Sequence, residues 1–405
     1  MHELGDPYPF YERLRREDPV HRVGDSRFHL VATWDLVTEA ATRTDDFSSN
    51  LTETMMIHPD GAVTGIALAP FGDAGHVLAT GDDPAHRAHR KLALPALTAA
   101  RVLALEPFVT ATLEQAWTGG DRIDWVAAVA HRLPTAVVAR LLGLSDCDPA
   151  TLLSWTFAAT QLLDGVVSAD QVAAATVAAT EMAGYLAECL VRALGRPEPG
   201  VLGDLARAVA EGTVSTGTAV LMLVQLVAAG GESTAALLGT AARVLATRPD
   251  LAAALRADPE LIPVFVDEVL RLESPFRGHY RHVVADTALG GVELPAGSHL
   301  YLLWGSANRD PAVFDDPDEF RLDRRRSHLA FGRGIHFCVG AALARLEARA
   351  AIGMLLRETR DFTAVDPEPD WVPSHLVRRL TRLDLAITPA RPGALGGTRG
   401  RYPGL

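Results

Sequence analysis

The sequence predicts a mainly α-helical protein with a smaller β-rich region, and three features carry that prediction. Long Ala-, Leu- and Arg-rich segments with apolar residues at helical spacing dominate the chain as far as Leu272, and these residue types are strong helix formers. Aromatic residues make up only 6% of the chain, which disfavours sheet. Short apolar runs (Val283-Val284, Thr287–Leu289, Val292–Leu294 and His299–Leu303) are separated by Gly290-Gly291 and Pro295-Ala296-Gly297. They read as a compact meander.

Composition bounds the function. The 405 residues are 48% hydrophobic and 22% charged, the balance of a globular protein that buries a large core. A net charge of −12 argues against a nucleic-acid partner. The first nine residues lack the basic start and apolar run of a signal peptide. The most apolar run, Ala219–Ala229, is too short to span a bilayer, so no membrane anchor is expected. Cys147, Cys189 and Cys338 are odd in number and widely scattered, which argues against a disulfide framework and for a cytoplasmic location.

In chain order, Pro9–Arg16 reads as a short amphipathic helix. A hairpin follows (20–23 and 28–31, around Gly24-Asp25-Ser26), and Trp34–Thr44 is helical again. Residues 50–80 read as an irregular apolar loop, of the kind that serves as a lid or binding loop. Asp82-Asp83-Pro84 starts a helix that puts His86 and Arg90 on one face, either a solvated basic face or a clamp for an anion. Helical patterns continue through 103–117, 125–142, 152–163 and 169–194, where Pro197, Pro199 and Gly200 stop them.

The segment Thr218–Ala246 is the most apolar helix, yet it contains Ala228-Ala229-Gly230-Gly231-Glu232-Ser233-Thr234. Two helix-interior glycines cost about 1 kcal/mol each relative to Ala. They predict local unwinding around a site; a close helix crossing would also explain them, but not the adjacent Glu232, since a buried carboxylate without a partner is expensive. The helix Leu261–Leu272 contains Glu268 and Arg271, which alone read as an ordinary surface pair. Leu383–Ile387 reads as a last strand. With no linker or repeat in sight, residues 1–390 form one domain and 391–405 a loose tail.

The last motif is Phe331-Gly332-Arg333-Gly334-Ile335-His336-Phe337-Cys338-Val339-Gly340, followed at once by an Ala/Leu/Arg/Glu-rich helix. A cysteine at a helix start sits near unpaired N–H groups and the positive end of the dipole, which favour a thiolate and hence a soft metal ligand. A structural cysteine beside a tight turn is the other reading. Gly332, Gly334 and Gly340 would let the backbone pass close to a large flat group.

Together these pieces resemble a cytochrome P450 of the soluble bacterial type. The resemblance spans nearly the whole chain. It rests on the F-x-x-G-x-x-x-C-x-G signature at 331–340, Glu268-x-x-Arg271, the Gly-Gly-Glu-Ser-Thr helix and the coil Asn308-Arg309-Asp310-Pro311, all in family order. It implies a P450 fold binding haem b, with Cys338 as thiolate ligand to the iron. It further implies propionate partners at His86, Arg90, Arg281 and His336, with Phe331, Gly332, Gly340, Ala229 and Gly230 against the cofactor. Glu268 and Arg271 become a buried ion network with Arg309 or Arg321. Glu232, Ser233 and Thr234 become the proton-delivery groups, with Ser233 where the family usually has threonine. Val224, Gln225, His279, Leu376 and Val377 fall in the substrate pocket.

The function implied is oxidation of a small-molecule secondary metabolite, with NAD(P)H electrons arriving through a ferredoxin reductase and a ferredoxin. The ferredoxin would dock near Arg101, Arg333, Arg345 and Arg349. Oxidative C–C or C–N coupling on the same fold is one alternative, and a non-catalytic haem-binding protein is another.

Overall fold

A computed structural model describes residues 2–58, 62–67, 75–117, 119–144, 146–165, 168–324 and 327–390. The tail at 391–405 and part of the 50–80 stretch lie outside them. The protein is 54% helical, so the mainly α class holds.

The helix Thr216–Thr247 is the axis of the packing. Ser215 starts it by accepting the Thr218 N–H at 3.1 Å, which satisfies one of the otherwise unpaired first-turn donors. The helices Arg132–Leu142, Pro149–Gln161, Ala169–Gly195 and Ala341–Glu358 pack around it. Leu237, Leu238 and Leu245 join Leu133, Phe265 and Leu355 in one buried cluster. Met222, Leu223 and Val227 join Leu142, Leu152 and Leu186 in another.

This central helix extends well beyond the Ala219–Ala229 run. An 18-residue window within it has a mean hydropathy of 1.5, so the helix is long and apolar enough to cross a membrane by length and composition alone. Its apolar side chains serve the core, because 56% of that window is buried inside the protein.

The central helix is unbroken through Gly230-Gly231, which corrects the predicted unwinding. Close packing explains the glycines instead. A Cβ on Gly230 would meet Val138 Cγ2 at 2.5 Å, and one on Gly231 would meet Thr156 Cγ2 at 2.6 Å. Two neighbouring helices therefore lie against this turn at a distance that any side chain would close off.

The predicted N-terminal hairpin forms, with Val20 opposite Val31. His299–Leu302 adds to it in parallel, and His279–Val283 and Phe47–Ser48 complete a five-stranded sheet. The meander expected over 283–303 is thus divided, and only Thr287–Leu289 and Val292–Leu294 form a local hairpin. A second correction concerns residues 50–80. Glu53–Ile57 and Val63–Ala67 pair as an antiparallel hairpin where an irregular loop was expected. The last strand, Asp384–Pro389, lies between Thr359–Ala364 and Arg122–Asp124. Helices Val201–Ala210 and Pro249–Ala257 complete the helical set without having stood out in the sequence.

Candidate active site

The Cys338 loop is shaped by backbone bonds. The Cys338 N–H donates to the Phe331 carbonyl at 2.9 Å, and that of Gly332 to Leu329 at 2.8 Å. Gly332 and Gly334 hold φ of 72° and 71°, a left-handed conformation that glycine adopts without strain. Gly340 differs. Its φ is −90°, and a Cβ there would meet only the Cys338 sulfur, at 3.9 Å. Among the described residues, nothing requires glycine at that position except the space it leaves beside the sulfur.

The Gly340 and Ala341 N–H groups, Arg90 and Arg345 all favour a Cys338 thiolate. Burial outweighs them and pushes the thiol above its ordinary value. The helix start thus favours the thiolate, as the sequence suggests, but does not by itself offset burial; a metal cation at the sulfur would supply the remaining counter-charge.

Beside this loop stands a cluster of cationic and imidazole groups. The rings of His86 and His336 lie 4.2 Å apart. Arg90 Nη1 donates to the Phe337 carbonyl at 2.9 Å. Buried Arg281 uses Nη1 on the Tyr280 carbonyl at 2.7 Å, while its Nε and His336 Nε2 have no hydrogen-bond partner. Desolvation, then Arg281, His86, Arg90 and His279, push His336 down to about 3. Desolvation also lowers Arg281 to about 10, with Asp82 opposing. Two carboxylates stand at the edge of the cluster: Asp83 lies 3.4 Å from His86 Nδ1, and Asp82 acts on His86 and Arg281. The donor set fits a buried group bearing two carboxylates, and with a cysteine at a helix start beside it, that description fits haem. His89, also buried with an unpartnered Nδ1, joins His86 on the inner face of the same helix and was not anticipated.

On the central helix, the Ser233 hydroxyl donates to the Ala229 carbonyl at 2.8 Å. Thr234 is buried. Glu232 is also buried, and its Oε1 accepts from Arg379 Nε at 2.9 Å. Its Oε2 has no partner. The nearby Thr160 hydroxyl is engaged with the Thr156 carbonyl at 3.2 Å. Burial raises the affinity of Glu232 for a proton, and Arg379 opposes that rise. The partner that a buried carboxylate requires is thus an arginine 147 residues away in sequence. One clue was available: Arg378-Arg379 is flanked by Leu376, Val377 and Leu380, an apolar setting unusual for two cations.

The segments that carry the expected pocket residues His279 and Leu376-Val377 are joined. Arg277 N–H donates to the Leu376 carbonyl at 2.9 Å, and Arg378 N–H to Pro275 at 2.8 Å. His279 Nδ1 accepts from Trp304 Nε1 at 2.7 Å. His279 is exposed, yet desolvation by the protein packed around its ring, then Arg281, push it down to about 4. Gln225 instead ties the central helix to the turn at Leu78–Thr80, bonding the Thr80 hydroxyl at 3.1 Å and the Ala79 N–H at 3.2 Å. Val224, one residue before it, is half-buried.

Glu268 and Arg271, which alone read as a surface pair, are buried and bidentate, at 2.8 and 2.7 Å. Arg271 also caps the Asn308, Pro317 and Glu319 carbonyls. The third charged member is Arg324, whose Nε lies 2.9 Å from Glu268 Oε1; Arg321 contributes only its backbone N–H. Arg309 serves Glu273, Asp318 and the Leu272 carbonyl instead. Of the arginines expected to form a docking surface, Arg101 and Arg333 are exposed. Arg345 is bound to Asp267 at 2.7 Å and lies over the Phe331 ring at 4.6 Å, and Arg349 donates to the Arg345 carbonyl.

Comparison with known proteins identifies the family. The profile described as Cytochrome P450 matches residues 207–370. "Cytochrome P450 144" of Mycobacterium tuberculosis is 53% identical over 387 residues, covering 94% of this chain and 89% of that protein. "Cytochrome P450 monooxygenase PikC" of Streptomyces venezuelae is 35% identical over 398 residues, covering 94% and 91%. Among solved structures, cytochrome P450 CREJ in complex with (4-ethylphenyl) dihydrogen phosphate superposes with a TM-score of 0.86 at 27% identity, covering 95% and 98%. With sequence matched at 53% identity and fold matched across nearly the whole chain, this chain belongs to the cytochrome P450 family.

Proposed function

We propose that this P450 monooxygenase inserts oxygen into a largely apolar small molecule, a secondary metabolite, with NAD(P)H electrons delivered through a ferredoxin reductase and a ferredoxin. The observation that carries the reading is Cys338 at its helix start, beside the cluster of His86, Arg90, Arg281 and His336, in which Arg281 Nε and His336 Nε2 are buried without a partner. Family membership implies haem with thiolate ligation. In this chain Cys338 would hold the iron and those four residues the propionates, with Phe331, Gly332, Gly340, Ala229 and Gly230 along the ring. When bound, haem supplies the iron at which dioxygen is reduced.

The chain's own residues bind, shield and move protons. The apolar inner turns of the central helix exclude water, and the Leu376–Val377 segment closes the pocket. The Ser233 hydroxyl must leave the Ala229 carbonyl to donate elsewhere, a rearrangement costing about 1 kcal/mol. Glu232 holds a proton more readily than an exposed glutamate does, and Arg379 restrains it. Exposed Arg101 and Arg333 offer an acidic ferredoxin local positive charge. The cytoplasm, where such partners reside, is the proposed location.

The engagement of both Ser233 and Glu232 favours a second reading, in which the enzyme couples C–C or C–N bonds without oxygen transfer. Products formed under labelled dioxygen separate the two, because a coupled product carries no label. The primary test is spectroscopic. Reduced protein with carbon monoxide should show the red-shifted Soret band of thiolate ligation, and Cys338→Ala should lose it. A band that survives in Cys338→Ala sinks the assignment.

A further inference from the structure

We propose that Arg379 is the anchor for a substrate carboxylate, so that this enzyme selects apolar monocarboxylic acids. The proposal rests on the monooxygenase reading and adds the substrate class. Arg379 lies nearly buried, its side chain 12% exposed, with its guanidinium 4.0 Å above the Phe157 ring. Its backbone is fixed because the preceding residues are stitched to Pro275 and Arg277. A guanidinium carries five N–H donors in a rigid plane. Among the described residues only Nε has a partner, Glu232 Oε1 at 2.9 Å. Neither Nη is among the buried atoms without a partner, so both reach accessible space.

The outer Nη edge is therefore a preformed fork, held in plane by Phe157 on one side and Glu232 on the other. That is the geometry for bidentate recognition of a carboxylate. Phe157, half-buried beneath it, offers an apolar surface to the body attached to the acid.

The charges nearby limit the anion to one charge. Glu232 already neutralises Arg379, and Asp164 adds negative potential near Glu232. His131 beside Arg379 is held neutral, desolvation and then Arg379 pushing it down to about 4. Among the described residues, Arg379 is the cation that acts on Glu232, too little charge for a dianion such as a phosphate monoester. A bound acid would also draw on Arg379's charge and leave Glu232 a better proton holder, which links substrate entry to proton delivery.

The test uses the haem-loaded protein and a panel of apolar carboxylic acids, each paired with its own methyl ester. Affinities come from the Soret shift on binding and, independently, from calorimetry. Acids should bind about tenfold or more tightly than their esters, the scale of a charge-assisted bidentate contact. Arg379→Gln should abolish that preference and Arg379→Lys should keep part of it. Glu232→Gln, which removes the competing charge, should bind acids at least as tightly as the natural protein.

Opposite signs in the two variants exclude a merely structural pair, which would weaken binding in both. The proposal falls if esters bind as well as acids, if no acid binds, or if Arg379→Gln keeps the preference. It also falls if Glu232→Gln loses as much as Arg379→Gln. If Arg379→Gln does not fold, Arg379→Lys and Glu232→Gln decide alone. A natural protein lacking the thiolate-type carbon monoxide band indicts the underlying monooxygenase reading instead.

Discussion

Substituting alanine along the central helix should change sign from one glycine to the next. At Gly239 an added Cβ would meet its nearest neighbour, Val126 Cγ2, at 3.6 Å, an ordinary contact. Gly239→Ala should therefore stabilise by up to about 1 kcal/mol, the helix-propensity gain. At Gly231 the same Cβ meets Thr156 Cγ2 at 2.6 Å. Thr156 cannot easily turn aside, because its hydroxyl is bonded to the Leu152 carbonyl at 2.9 Å. Overpacking of this kind costs about 1–3 kcal/mol and outweighs the propensity gain.

Thr156→Ser removes the obstructing methyl and keeps the hydroxyl. In that background Gly231→Ala should become close to neutral, giving a coupling of about 1 kcal/mol or more in the double-mutant cycle. Thermal unfolding of the haem-loaded variants reads the order, at about 1 °C per kcal/mol for a chain of this size. A Gly231→Ala variant that melts above the natural protein refutes the close-crossing account and reopens local unwinding.

Other perturbations have definite signs. Glu268→Gln breaks a buried bidentate pair and should cost about 3–5 kcal/mol, whereas Arg324→Gln should cost less, because Arg271 and the Arg321 N–H still hold Glu268; thermal melts rank the two. Arg281→Gln should release haem to an acceptor protein several-fold faster while leaving the Cys338 spectral signature intact, so unchanged release would remove Arg281 from the propionate set. Glu273 yields a pH prediction. Desolvation pushes its carboxyl up, but Arg378 and Arg309 overrule this and hold it below its ordinary 4.5. A depressed folded value means the stabilisation is present above 4.5 and is lost as pH falls through the lower value. Glu273→Gln should therefore lower stability at neutral pH and flatten the acid limb of a stability–pH curve; an unchanged acid limb would contradict the linkage.

What the sequence made legible was local. The Cys338 loop could be read because its glycines, its cysteine and the following helix are contiguous, so backbone chemistry alone orders them. Residues 283–303 were legible as strands but not in their pairing, because His299–Leu302 takes Phe28–Val31 as a neighbour from the other end of the chain. Gly230-Gly231 was ambiguous in a deeper way: unwinding and close crossing exact the same helix-propensity cost, and only the positions of Val138 and Thr156 decide between them. Glu232 shows the same limit in electrostatics. A buried acid demands a partner, so the existence of Arg379 followed from the sequence in principle, but its identity did not. That partner determines what the acid can do. Under the proposal that Arg379 also holds a substrate carboxylate, proton supply and substrate selection share one guanidinium, and a substitution at residue 379 should change both together.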